Sequence, residues 1–445
     1  MQNSQVGNKL LAFFTSDLQS GSRPKGGVKG IELGVPSVGG EHLNNHGNFD
    51  FSSVRFVSEE FAKKMSKGKI ESNDILIVKD GATTGKVSFV DKTFPYERAT
   101  VNEHVFILRT NEKILPKFLF WYLWSKNGQT EILKNFQGSA QGGINRSFLD
   151  GVEVPDHAIE YQEKIVKKID SILSQCWSDQ AKFQKAKRLI SKFRQSVLSA
   201  AVTGKLTEEW RGKNGSKRNT TEFVKKIQKL YSRVVDIDKY EEHENLSSWI
   251  KCKVQNLFSV QTGSTPYRKN ESYYLNGTIP WVKTGEVQNC DIYDAEEKIT
   301  PLAIKETNTK TFPINTILIA MYGEGKTRGQ VGRLKIEAAT NQACAALVNP
   351  TITDYFNEYI YIYCLSQYSQ LRQEAAGGNQ PNLNLSKIKE WNVNVPPEEE
   401  QREIVNRVKK MFEYADKVEK QIELASKRTD KLTQSILAKA FRGEL

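Results

Sequence analysis

Apolar side chains recur every three or four positions over two long stretches of the chain. In the first, the walk is Ile165, Ile169, Ile172, Cys176, Asp179, Phe183, Ala186, Ile190, Phe193 and Val197. In the second it is Ile404, Val408, Met411, Ala415, Val418, Ile422, Ala425, Thr429, Leu432 and Ile436. A 3.5-residue period held this long predicts a coiled-coil seam. The stretches are also copies: Gln401 to Leu445 lies without a gap on Gln162 to Leu206, 239 positions earlier. One such helix alone reads as a bundle element. Two in the same phase, each closing one half of the chain, predict a paired spacer, broken once per copy by a polar residue, Asp179 and Thr429.

Ahead of each long helix the pattern changes. Over residues 1–155, Asp74–Val78, Lys86–Val90 and Glu103–Leu108 read as strands separated by Gly, Asn and Asp turns. Pro116 to Leu133 reads as one helix, whose rings (Phe118, Phe120, Trp121, Tyr122, Trp124) fall at the spacing of a core. Residues 247–396 repeat this frame loosely. Gly263-Ser-Thr-Pro266 matches Gly21-Ser-Arg-Pro24, and Thr316-Ile-Leu-Ile319 with Gly323 matches Asp74-Ile-Leu-Ile77 with Gly81. Thr340-Asn341 matches Thr100 and Asn102, and Val393-Asn-Val-Pro396 matches Val152-Glu-Val-Pro155. A second aromatic helix is expected over Asp354 to Arg372. The organisation this predicts is a mixed α/β domain over 1–155, a spacer helix over 156–206, a linker over 207–246, a second domain over 247–396 and a C-terminal spacer helix over 397–445. Within the linker, 208–218 reads as a polar loop, Phe223 to Val235 as a short helix and Glu241-Glu-His-Glu244 as solvated surface.

The net charge of +12 favours a polyanion partner, most simply nucleic acid. Five scattered cysteines without a C-x-x-C pair argue against a zinc site and for a reducing, cytoplasmic setting. No run of 18 apolar residues predicts a membrane span. Catalytic motifs are missing. Ala320 to Thr327 resembles a phosphate-binding loop with Ala for its first Gly, but a glycine-containing, strand-like stretch follows where a helix is needed. His42 and His46 are four apart, on an Asn- and Gly-rich loop rather than a helix. The chain is expected to bind while others catalyse, with no metal and no cofactor of its own. Two alternatives stay open: a nuclease or methyltransferase with a degenerate motif, and a structural coiled-coil adaptor.

Base readout needs polar and cationic side chains on loops, with Gly allowing close backbone approach. Three loops qualify in each half. The first half offers Arg23, Lys25, Lys79, Thr83, Thr84, Lys86, Gln141, Asn145 and Arg146. The second offers Arg268, Lys269, Tyr322, Lys326, Arg328, Gln330, Asn379, Gln380 and Asn382. Any one of these loops alone reads as an ordinary turn; the same three places in both halves raise the set above its members.

The paired Gly-Ser-x-Pro segments, the Ile-Leu-Ile strands leading to Gly81 and Gly323, the helix starts at Gln162 and Gln401 and the matched helix ends resemble the DNA-specificity subunit of type I restriction–modification systems. The resemblance spans nearly the whole chain. It implies an α+β chain with two target-recognition domains held apart by two antiparallel coiled-coil helices in a pseudo-twofold repeat. Each domain would read one half of a split double-stranded DNA target, and helix length would set the unread gap. It implies partners too: two methylation subunits that bind S-adenosylmethionine, and motor–nuclease restriction subunits that use ATP and Mg²⁺. One departure stands out: the first domain shows no counterpart of Ser248-Trp249, which opens the second.

Overall fold

A computed structural model describes residues 7–138, 142–214, 241–243, 246–323, 327–348, 354–376 and 383–445. The chain divides into two compact units, Met1–Gln184 with Ile422–Leu445, and Lys185–Gln421. Each long helix, Ile159–Val202 and Glu398–Phe441, therefore contributes one part to each unit, where the segmentation above set the helices apart from the domains.

In the first unit the strands run β1 (Asn8–Leu10), β2 (Thr15–Ser20), β3 (Val35–Val38), β4 (Phe56–Val57), β5 (Ile75–Val78), β6 (Val87–Phe89), β7 (Thr100–Val101), β8 (Val105–Thr110) and β9 (Glu153–Pro155). The sheets are β2-β8-β5-β6, all antiparallel; β4-β3-β7, with β3 and β7 parallel; and the pair β1-β9. β5 shows why the Ile-Leu-Ile run is strand and not helix. All four residues are buried, alternating between two cores. Ile75 and Ile77 pack with Phe118 and Phe120, while Leu76 and Val78 pack with Val38 and Val101. The aromatic stretch is core, as its spacing indicated, but it is two helices, Pro116–Trp124 and Lys126–Leu133. Ser125 breaks it with an extended backbone, and its hydroxyl caps the second helix by accepting from Gly128 N.

The unit closes on its helices. Ile165, Ile169 and Leu173 from one, and Leu437, Ala440 and Phe441 from the other, join the core around Phe118. Tyr161 donates to the Ala440 carbonyl at 2.8 Å, and the His157 ring meets the Phe441 carbonyl at 3.1 Å.

The second unit carries β10 (Glu241–His243), β11 (Leu246–Lys253), β12 (Ser259–Thr262), β13 (Ile279–Val282), β14 (Cys290–Ile292), β15 (Glu297–Ile299), β16 (Thr311–Phe312), β17 (Ile317–Ala320), β18 (Val331–Leu334), β19 (Ala338–Thr340), β20 (Cys344–Val348) and β21 (Asn392–Val395). Its sheets, β12-β20-β17-β18-β14, β15-β13-β19-β16 and β10-β11-β21, keep the frame of the first unit. β17 alternates between cores as β5 does. The acidic run read as solvated surface contains a strand, β10, paired with β11. Glu208–Asn214, read as loop, is helical, because Arg211 donates back to the Gly204 carbonyl and to Glu400. The short helix expected over Phe223 to Val235 lies outside the described residues.

The missing counterpart of Ser248-Trp249 has a structural answer. β1 pairs with β9 as β11 pairs with β21, and Leu11 N donates to Val152 O just as Val254 N donates to Trp391 O. In that frame the position of Trp249 falls ahead of Gly7, outside the described residues.

The helix seam differs from the expected walk in phase. Ile165, Ile169, Ile190, Val197, Ile404 and Val408 are buried, and Ile172, Phe183, Met411, Val418, Ile422 and Ile436 are half-buried. Phe193, at 40% exposure, and Leu432, at 54%, do not belong to it. Leu173 replaces Ile172 in the core, and Thr433 and Leu437 are the buried positions beside Leu432. The reason is an extra four-residue step in each helix, which turns the apolar stripe toward the domain core. Polar residues follow the stripe. Gln180 meets Ser426 and Asp430 within the first unit, where Asp179 was expected to be the break. Arg194, not Phe193, faces the opposite helix within the second unit, pairing with Asp416 at 2.6 Å and Glu419 at 2.8 Å.

Candidate nucleic-acid interface

In the first unit, the strand order brings several loops to one end of the sheets. β2, β3, β5 and β7 end there, and β8 begins there. The hydrogen bonds tie these ends together: Asn102 N donates to Val38 O, Lys79 N to His104 O, and Ile144 N to Lys79 O. The Gly-Ser-x-Pro glycine is essential to this closure. A Cβ on Gly21 would lie 1.6 Å from the Val101 carbonyl oxygen, and one on Gly263 would lie 1.8 Å from that of Thr340. Both segments are thus laid directly on the end of a parallel strand, β7 or β19. This also corrects one match: Asn341 corresponds to Asn102, but Thr340 corresponds to Val101, since Val38 pairs with Val101 as Val282 pairs with Thr340.

The clustered loops hold a charged network. Arg23 lies 3.6 Å from Glu103, whose same oxygen is 3.4 Å from His104 Nε2. His104 Nδ1 contacts Asp80, and Lys79 reaches the same carboxylate at 4.0 Å while lying over the Phe106 ring. Arg55 pairs with Glu41 at 3.4 Å. A cavity of about 350 Å³ opens among Arg23, Glu41, Arg55, Asn102, Glu103 and His104.

The candidate residues divide by what they touch. Lys25, Thr83 and Arg146 are exposed. Thr84 donates to the Gly81 carbonyl and shapes its own turn. Lys86 is half-buried and donates to the Leu43 carbonyl, so its ammonium is committed to holding a loop. Asn145 caps the short helical turn Arg146–Asp150 and donates to Gln137. In the second unit, Arg268 stacks over Tyr274 at 4.9 Å and Trp281 at 4.6 Å and pairs with Glu297. That guanidinium and, against some burial, Lys283 hold the Glu297 carboxyl below its ordinary range. Lys269 and Tyr322 are exposed, while Arg328 and Gln330 are half-buried. Gln141, Lys326, Asn379, Gln380 and Asn382 lie outside the described residues.

Residue chemistry alone passed over Asp80, Glu103 and His104 in one unit, and Thr265 and Gln342 in the other. The acids fall outside a criterion of cationic and neutral polar side chains, and Thr265 and Gln342 lie outside the loops that it selected. The available signal was position: Glu103 and Gln342 each follow the shared Asn102 and Asn341.

Among the described residues, no group of three or more His, Cys, Asp and Glu is placed to hold a metal ion. Among them, too, no helix is long and apolar enough to cross a membrane.

Known proteins share this arrangement. The family model described as a type I restriction modification DNA specificity domain matches residues 21–182 and 247–426. The type I restriction enzyme EcoKI specificity subunit of Escherichia coli (strain K12) is 28% identical over 423 residues, 92% of this chain and 82% of that protein. The EcoBI specificity subunit of Escherichia coli is 31% identical over 368 residues, 78% of this chain and 70% of that one. Among solved structures, the chain described under "complex assembly and conformational transition of the type I R-M system" matches with a TM-score of 0.68 over 99% of both chains at 15% identity. The HsdS subunit from Thermoanaerobacter tengcongensis matches with a TM-score of 0.56 over 99% of this chain and 98% of that one, also at 15% identity.

Proposed function

The chain belongs to the type I restriction–modification DNA-specificity family, and from that premise we propose how it works. It is a sequence-specific DNA-binding subunit without an active site of its own. Each unit reads one half of a split double-stranded target, and the stretch between the halves goes unread. Methylation subunits and motor–nuclease restriction subunits assemble on the chain and perform the chemistry. S-adenosylmethionine, ATP and Mg²⁺ are bound by those partners, in the cytoplasm. The observation that carries this reading is the loop end repeated in both units: a Gly-Ser-x-Pro segment laid on the end of a parallel strand, with variable polar residues around it. Arg23, Lys25, Lys79, Thr83 and Arg146 in the first unit, and Arg268, Lys269 and Tyr322 in the second, are the side chains we assign to DNA.

The test is an exchange. Residues 247–396 are replaced by the same domain of a relative, the chain is produced with its methylation subunit, and methylated adenines are mapped in the host genome. One half of the target should change and the other should stay. A simultaneous change in both halves would overturn the modular reading.

A further inference from the structure

Each unit places two side chains from different loops against one another at the same point of the frame. In the first they are Arg23, third residue of Gly-Ser-Arg-Pro, and Glu103, which follows Asn102. In the second they are Thr265, third residue of Gly-Ser-Thr-Pro, and Gln342, which follows Asn341. Arg23 and Glu103 pair at 3.6 Å, and Thr265 donates to Gln342 Oε1 at 2.5 Å. The supporting backbone is the same in both, since Gly21 presses on the Val101 carbonyl and Gly263 on that of Thr340. The frame is held while the pair changes from charged to neutral.

We infer that this pair is the base-reading site of each unit, and that its two residues set which base pair is accepted. The inference rests on the DNA-specificity reading above and names where that specificity resides. Glu103 gives the chemistry in the first unit. One carboxylate oxygen holds Arg23 and His104, while the other, Oε2, is buried with no hydrogen-bond partner among the described residues. A carboxylate oxygen withdrawn from water calls for a donor. Glu103 also lines the cavity described above, together with the donors Arg23 and Arg55 and a second carboxylate, Glu41. In the major groove a cytosine N4 amino group supplies the donor, and the paired guanine offers O6 and N7 to an arginine. The first pair therefore takes a G·C pair, with Glu103 on cytosine and Arg23 on guanine. The second pair has no charge to neutralise. A glutamine amide matches adenine N6 and N7, and a threonine serves the O4 or methyl group of thymine. It therefore takes an A·T pair.

The experiment uses the full chain assembled with its methylation subunit, and maps methylated adenines for the wild type, Glu103→Gln, the double variant R23T/E103Q and the double variant T265R/Q342E. Glu103→Gln should lower discrimination at one G·C position of one half-site by about ten- to a hundredfold. R23T/E103Q should accept A·T there, and T265R/Q342E should accept G·C at one position of the other half-site. If R23T/E103Q methylates the wild-type sequence unchanged, the inference is overturned. If a variant methylates nothing, the purified complex is used to select oligonucleotides from a random pool. A selected motif altered at that one position supports the assignment, and a motif lost throughout the half-site overturns it. A wild-type complex that methylates no split sequence would instead sink the DNA-specificity reading itself.

Discussion

At Glu400 one buried carboxylate gathers three donors from two stretches of the chain. It accepts from Thr207 Oγ1 at 2.7 Å, Arg211 Nε at 3.0 Å and Trp249 Nε1 at 2.8 Å. Removing it strands Arg211, of which only 18% is exposed, and a buried indole N–H. Glu400→Ala should therefore cost the second unit about 3–5 kcal/mol, read as a lower urea midpoint. Glu400→Gln, which keeps one acceptor oxygen, should cost less. His157 offers a contrasting case, a side chain that burial keeps neutral. Burial lowers its pKa from 6.5, against the opposing pull of the Phe441 carbonyl and Asp156. A lowered folded value means the unfolded chain binds the proton more readily, so stability is full above the ordinary imidazole range and lost as pH falls through it. The first unit should melt at a lower temperature as pH drops below about 6.5. His157→Gln should flatten that dependence in scanning calorimetry, and an equally steep loss in the variant would assign it elsewhere.

Among elements, the long helices show how far periodicity reaches. The walks located both helices, and the buried Ile165, Ile169, Ile404 and Val408 lie on them. They depart from the buried stripe at Leu173, Phe193 and Leu432 while Ile190 and Val197 stay on it, because a straight helix of 3.6 residues per turn drifts against a 3.5 repeat and must also satisfy the domain packed beside it. Leu437 is the seam residue and Leu432 its exposed neighbour. Leu437→Ala should destabilise the first unit by about 2–5 kcal/mol, whereas Leu432→Ala should stay within about 0.5 kcal/mol. Thermal melts of the two variants distinguish the phases. The other elements that sequence missed share one cause. β10 is an acidic strand, and Glu208–Asn214 is a helix closed by Arg211. In both, tertiary partners override what the local residues favour.

For the whole molecule, the repeat was the legible part. Two copies of a frame fix one another, so the Gly-Ser-x-Pro segments and the Ile-Leu-Ile strands could be matched before any contact was known. The site was legible only as loops. Lys86 and Asn145 have the chemistry of readers and serve as struts, and which of two such uses a side chain has is decided by what it touches. A further prediction belongs to this scale. Four residues inserted after Ala186 lengthen a helix by about 6 Å at about 1.5 Å per residue. With duplex DNA rising about 3.4 Å per base pair, the unread gap should grow by one to two pairs. Seven inserted residues should be better tolerated, since they keep the seam in phase, whereas four introduce a stutter. Mapped methylation sites report the gap, and an active insertion variant with an unchanged gap would mean that the helices do not set it.

The sharing of the last helix has a consequence for synthesis. Leu437, Ala440 and Phe441 complete the core of the first unit, and Ile404, Val405 and Val408 that of the second. All six leave the ribosome after both domains have emerged. At about 5–20 residues per second, the first domain waits many seconds with Phe118 and Ile165 uncovered by their final partners. A chain broken off before residue 398 leaves both cores open at once. Unfinished chains therefore expose apolar core residues of both units until the last helix arrives.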